Sequence, residues 1–170
     1  MQLTDYIRDI PDFPKPGIMF KDITPLLAEP AAFEESIQRL CDHFREASID
    51  AIASAEARGF LFAAPMALEL KLPLIPLRKP GKLPHRTHSL KYELEYGTAE
   101  LQMHVDGVKA GARVLLVDDV LATGGTMKAG CALIEQAGGT AAGCAFLVEL
   151  CFLGGREKLA GYEVFSLIRY

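Results

Sequence analysis

The sequence predicts an α/β domain built on a mainly parallel, twisted sheet flanked by helices. Three observations carry that prediction. Short apolar runs of strand length alternate with segments of helical period. Val114-Leu115-Leu116-Val117 is an unbroken aliphatic run, the pattern of a parallel strand covered on both faces. With 170 residues, 50% of them hydrophobic and 24% charged, the chain can bury one sizeable core but not comfortably two.

From Ala31 to Ala47, the residues Phe33, Ile37, Leu40, Cys41 and Phe44 fall on one helical face with charges between them. Ala51-Ile52-Ala53 reads as a short buried strand. Phe60–Leu70 is mostly apolar and reads as a helix packed on the sheet despite Pro65. Leu74–Leu77 is a second strand and Arg113–Asp118 a third. Met127, Cys131 and Ile134 mark the next helix, which Gly138-Gly139 stops. Cys144–Val148 and Glu163–Ile168 complete the sheet.

Two segments break the alternation. Residues 1–30 contain Pro11, Pro14, Pro16 and Pro25, too much proline for regular helix, and read as an extended arm wrapping the domain. Arg78 to Gly111 is a long insertion, and long segments of that kind are usually functional. Within it Leu90, Tyr92, Leu94 and Tyr96 alternate with polar residues, as do Ala99, Leu101, Met103 and Val105 beyond Gly97-Thr98. That period of two predicts a β-hairpin. The preceding RKPGKLPHRTH is basic and bears glycine and prolines, so it is expected to be mobile. Pro80, Gly81 and Pro84 near one end and Gly97 at the other offer hinges, and residues 79–97 read as a flexible lid.

Charge and cysteine usage narrow the function. A net charge of −4 gives no general attraction to nucleic acid or to acidic membrane surfaces. No apolar run approaches the roughly 20 residues that span a bilayer, and the start lacks the layout of a signal peptide. Cys41, Cys131, Cys144 and Cys151 show no CxxC spacing and read as free thiols in a reducing cytosol. His43, His85, His88 and His104 form no zinc pattern, and no protein metal site is expected.

The third strand runs straight into Asp118-Asp119 and then into Ala122-Thr123-Gly124-Gly125-Thr126. In an open parallel sheet, ligands bind beyond the carboxyl ends of strands. The loop offers backbone N–H groups, a helix N-terminus and two hydroxyls, all suited to a phosphate. It is neither a P-loop nor a GxGxxG turn. The carboxylates would repel that phosphate. A ligand touching both halves must therefore carry phosphate at one end and hydrogen-bond donors at the other, as a ribose 5-phosphate does.

VLLVDDVLATGGT closely resembles the motif by which type I phosphoribosyltransferases bind 5-phosphoribosyl 1-diphosphate (PRPP). PDFPKPGIMFKDITPLL, EARGFLF, RKPGKLP, YELEYGTAELQ and GREKLA resemble, in the same order, blocks of the adenine-using branch of that family. The resemblance covers nearly the whole chain. It implies the type I phosphoribosyltransferase fold, in which residues 1–30 form a base-binding hood and 113–137 the PRPP-binding strand–loop–helix. It also implies transfer of the phosphoribosyl group to adenine, giving AMP and pyrophosphate through an oxocarbenium-like transition state.

The same resemblance implies roles. Asp118 and Asp119 hold the ribose hydroxyls, and Ala122, Thr123, Gly124, Gly125 and Thr126 cradle the 5′-phosphate. Arg58 in Glu56-Ala57-Arg58-Gly59 meets the pyrophosphate, where some relatives have Asp-Ser before the arginine. Arg78, Lys79 and Lys82 add positive charge toward PRPP. Phe20 stacks on adenine while backbone groups of Met19 and Lys21 read its edge. Glu95 and Tyr96 are the catalytic pair. Mg²⁺ is carried by PRPP oxygens and water, and the protein is a cytoplasmic homodimer. Three other readings stay open at this point: a phosphoribosyltransferase for hypoxanthine or guanine, a regulator that kept the fold without catalysis, and a flavodoxin-like phospho-acceptor built around the acidic pair.

Overall fold

In a computed structural model, which describes residues 1–94 and 97–170, the proline-rich N-terminal segment is more regular than its composition suggests. Residues Met1–Arg39 and Leu40–Tyr170 form two compact units. In the first, β1 (Arg8–Ile10) pairs antiparallel with β2 (Phe20–Asp22), so the segment expected as an extended arm contains a short two-stranded hairpin. The helix α1 (Thr24–Ala28) follows, with Pro25 in its first turn. Proline is tolerated there because that N–H has no helical partner anyway. Asp22 accepts hydrogen bonds from both the backbone N–H and the hydroxyl of Thr24, which closes the turn into α1.

The helix α2 (Pro30–Phe44) starts one residue before the expected point and stops three before it. Its Leu40, Cys41 and Phe44 are buried, as the helical face requires. In the second unit come β3 (Ala51–Ala55), α3 (Phe60–Leu70), β4 (Leu74–Leu77), β5 (Thr87–Glu93), β6 (Thr98–His104), β7 (Arg113–Leu121), α4 (Gly125–Gln136), β8 (Thr140–Glu149), α5 (Gly155–Lys158) and β9 (Val164–Arg169). The main sheet has the order β4-β3-β7-β8-β9, and every pairing in it is parallel. Val114, Leu115, Leu116 and Val117 are at most 1% exposed, so β7 is covered on both faces, as its aliphatic run demands.

Strands β7, β8 and β9 all run past their expected ends. β7 continues three residues beyond Asp118 because Val120 and Leu121 pair with Val148 and Glu149 at the end of β8. The reason is mutual: at their carboxyl ends β7 and β8 extend together, each supplying the backbone partners of the other. The hairpin is present but shifted. β5 begins at Thr87, and Thr98 belongs to β6, where it pairs with Glu93. Leu101 and Met103 of β6 enter the main core, and an isolated bridge joins Arg78 to Gln102. Cys41, Cys131 and Cys144 are buried thiols and Cys151 an exposed one.

Leu116 sits on the central strand of this core with 1% exposure. Leu116→Ala is expected to destabilise the fold by about 2–5 kcal/mol, read as a lower urea midpoint. A change within error would show that β7 is not the packed centre.

Candidate active site

The strand order creates the site. From β3 the chain moves outward to β4 and then returns to β7 on the other side of β3. At such a reversal the loops leaving two neighbouring strands diverge and leave a crevice. Here the loop after β3 carries Glu56–Gly59, and the end of β7 carries Asp118, Asp119 and the loop to α4. The acidic pair lies inside β7, with Asp118 three and Asp119 two residues before its last paired position at Leu121, rather than at the strand's end as its sequence suggested.

Successive strand residues face opposite sides of a sheet, so the two carboxylates are not equivalent. Asp119 is 3% exposed, and its Oδ2 lies 2.8 Å from Arg58 Nε. That contact is an ion pair rather than an aligned hydrogen bond. The Asp118 Oδ1 accepts the backbone N–H of Asp119 at 2.8 Å. Burial pushes the Asp118 carboxyl well above its ordinary range, and the neighbouring charge of Asp119 pushes the same way, with Arg58 opposing. The unliganded pair therefore resists carrying two negative charges.

Beyond the acids, Gly124 adopts a left-handed conformation at φ 81° and turns the chain into α4. A side chain would be strained there. The first helical hydrogen bond of α4 runs from Lys128 N–H to the Gly124 carbonyl at 3.0 Å. The N–H groups of Gly125, Thr126 and Met127 thus precede any helical acceptor, at the positive end of the helix dipole. Residues 122–126, Arg58 and both aspartates line a cavity of about 210 Å³. The arrangement can receive an anion at the helix end and hydroxyl donors at the acids.

A second cavity of about 230 Å³ touches the first at Thr126 and is lined by Glu56, Lys79, Pro80 and Tyr92 among others. Glu56 is the organiser here. Its Oε1 accepts Lys79 N–H at 2.8 Å and Arg78 Nε at 3.2 Å, which ties the loop after β3 to the end of β4. The Lys79 backbone bond and then the Arg78 charge hold the Glu56 carboxyl below its usual range. Lys82 is exposed beyond the turn at Gly81 and does not line either cavity. Tyr92 adds a contact the sequence reading missed: its hydroxyl is 3.2 Å from Thr126 Oγ1. The alternation of the hairpin had placed Tyr92 on one face with Leu90, which was the available signal.

Met19, just before β2, and Phe20 and Lys21, its first two residues, lie in the first unit. Phe20 packs edge-to-face on Phe13 with ring centroids 5.1 Å apart, and Lys21 Nζ is 2.6 Å from Asp9 Oδ1. Glu95 and Tyr96 lie outside the described residues.

A phosphoribosyl transferase domain model matches residues 22–164. The chain is 58% identical to an adenine phosphoribosyltransferase of Kosmotoga olearia over 170 residues, all of both chains. It superposes with a TM-score of 0.96 on the crystal structure of adenine phosphoribosyltransferase from Thermoanaerobacter pseudethanolicus, at 53% identity, covering 99% of this chain and 98% of the other. The Saccharomyces cerevisiae enzyme, crystallised with an imino-altritol bisphosphate and adenine, gives a TM-score of 0.91 at 38% identity, covering 98% and 96%.

The raised Asp118 pKa has a measurable consequence. The native state binds this proton more tightly than the unfolded chain, so its stabilising contribution is complete below the ordinary carboxylate range. It is lost as pH rises through the raised native value. Asp118→Asn removes that loss, so its melting temperature relative to wild type should climb between pH 4 and pH 9. A difference that stays flat with pH would sink the assignment.

Proposed function

The chain belongs to the phosphoribosyltransferase family, and on that premise we propose that it transfers the 5-phosphoribosyl group of PRPP to adenine, giving AMP and pyrophosphate in purine salvage. One observation carries the reading: an acidic pair, Asp119 buried and Asp118 half-buried, abuts a helix end of free backbone N–H groups at the reversal of strand order. Full-length relatives that share this chain's sequence at 58% and 53% identity are adenine phosphoribosyltransferases.

In this proposal Asp118 and Asp119 accept hydrogen bonds from the ribose hydroxyls, and Ala122–Thr126 donate to the 5′-phosphate. Hydroxyl donors favour the charged form of a carboxylate, so substrate would ionise Asp118. Arg58 leaves Asp119 for the pyrophosphate, and Arg78, Lys79 and Lys82 add charge on that side. The bond from C1′ to pyrophosphate oxygen breaks and pyrophosphate leaves with the electron pair, while adenine N9 bonds to C1′ and gives up its proton to a base, the part taken by the Glu95 carboxylate. Positive charge develops at the sugar in between. Phe20 supplies a stacking face for adenine, and backbone groups of Met19 and Lys21 read its edge. Glu95 and Tyr96, on residues 79–97 acting as a lid, complete the centre and exclude water.

Residues 1–30, 79–97 and 113–137 serve as base-binding hood, lid and PRPP-binding segment within one phosphoribosyltransferase domain. The hard carboxylate oxygens of Asp118 and Asp119 are donors Mg²⁺ accepts, so the site is compatible with an ion reaching it on PRPP and water. When bound, that ion supplies neutralisation of the leaving pyrophosphate. A homodimer is supported by the apolar stripe on α3, where Leu61 is 44% and Leu68 81% exposed. Cysteines without pairing spacing support the cytoplasm as its compartment. Among the described residues, no helix is long and apolar enough to cross a membrane.

Purified protein with PRPP and Mg²⁺ is expected to convert radiolabelled adenine to AMP, and faster than hypoxanthine to IMP. No AMP, or preference for hypoxanthine, would reject the reading. Arg58→Ala should lower kcat/KM for PRPP by about 10- to 150-fold, the loss of one charge-assisted bond, while KM for adenine barely moves. Equal damage to both substrates would count against the pyrophosphate role.

A further inference from the structure

Behind the anion loop, away from the ligand cavity, the backbone of α5 presses directly on the backbone of the loop. A methyl built on Gly155 would overlap the Ala122 carbonyl oxygen and come within 2.9 Å of Leu121 Cδ1. The relation is reciprocal. A methyl on Gly124 would stand 2.6 Å from the Gly155 carbonyl oxygen and 3.2 Å from its Cα. Real side chains essentially never approach below 3.0 Å, and here the obstacle is main chain, which cannot rotate aside. The two segments touch only because both carry glycine.

What presses α5 forward is equally specific. Glu149 ends β8 and is 2% exposed, yet charged. Arg156, the residue after Gly155, meets it with both arms of its fork: Nε to Oε1 at 2.9 Å and Nη2 to Oε2 at 2.5 Å. The remaining Arg156 Nη1 donates to the Val164 carbonyl at 2.8 Å, and Arg169 Nε lies 3.4 Å from Glu149 Oε2. Hydrogen bonding from Arg156 holds the Glu149 carboxyl below its usual range, so the pair stays ionised at neutral pH. Glu149 is itself paired with Leu121, the last residue of β7 before the loop, and Leu150 N–H bonds the Leu121 carbonyl at 2.9 Å. The clamp and the loop are therefore anchored on the same two strand ends.

We propose that Gly155 is a positioning residue: held by the Glu149–Arg156 clamp, it fixes the back of the Ala122–Thr126 loop and thereby the phosphate-binding N–H groups on its front. This inference rests on the reading of that loop as the 5′-phosphate cradle. A cradle made of backbone donors has no side chain to adjust, so its geometry must be imposed from behind. A displacement of about 1 Å in such a site costs on the order of 100-fold.

Isothermal titration of wild type and variants with AMP and separately with pyrophosphate reads the effect. AMP carries the 5′-phosphate, whereas pyrophosphate engages the cationic side at Arg58 and Lys79. Gly155→Ala is expected to lose about 10- to 100-fold in AMP affinity, keep its pyrophosphate affinity within twofold, and raise KM for PRPP more than it lowers kcat. Arg156→Lys keeps the charge but loses the bidentate fork, and should give a smaller loss of the same kind. It covers the case in which Gly155→Ala does not fold. Equal loss of both ligands with a lowered melting temperature would reduce Gly155 to a general structural role and overturn the inference. So would wild-type AMP affinity in both variants. If wild type itself fails to bind AMP, the underlying reading falls instead.

Discussion

Asp118 and Asp119 stand next to each other on a strand whose four preceding residues are dry, and the rest of the site is arranged around that burial. Two adjacent carboxylates cannot both ionise in such a place without a partner. The molecule answers in two ways. Asp119 takes Arg58 from the loop after β3, and Asp118 holds its proton more tightly. Each answer is only possible because β3 and β7 are neighbours, so the strand order is a condition of the electrostatics.

The same order appears in flavodoxin-like domains, where an acidic group at the same reversal serves other chemistry. Topology alone therefore does not decide between a phosphoribosyltransferase and a phospho-acceptor. The loop does. Gly124 in its left-handed conformation and the unbonded N–H groups opening α4 make an anion cradle beside the acids. A phospho-acceptor carboxylate has no use for a second phosphate site at that distance.

How far the sequence could be read follows from which forces are local. The helix Phe60–Leu70 and the strand Leu74–Leu77 were legible to the residue, since apolar length and flanking signals set them. The aliphatic run of β7 was legible too, but its end was not, because Val120 and Leu121 are strand only by virtue of β8. Prolines hid the β1–β2 hairpin, whose existence depends on pairing across the chain rather than on composition. In the site, Asp118, Asp119 and the loop were visible as a motif. Glu56 was visible only as part of one; its work, holding Arg78 and Lys79, needs the approach of β4 to β3. Gly155 gave no local signal at all, since a glycine opening a short helix is ordinary until another backbone leans on it.

The site thus has two kinds of parts, and they differ in what they can yield. Arg58 is half exposed at 54% and meets the buried Asp119 through a single ion-pair contact with no aligned hydrogen bond, so the guanidinium can turn to a ligand's charge without breaking a bidentate fork. The Glu149–Arg156 clamp faces the other way, with a carboxylate 3% exposed and every arm of the guanidinium engaged. Removing one partner there would strand a buried charge. The exchangeable pair sits on the ligand side of the loop and the fixed pair behind it. Such a division lets substrate rearrange the front of the site while the backbone donors that must meet its phosphate stay in place.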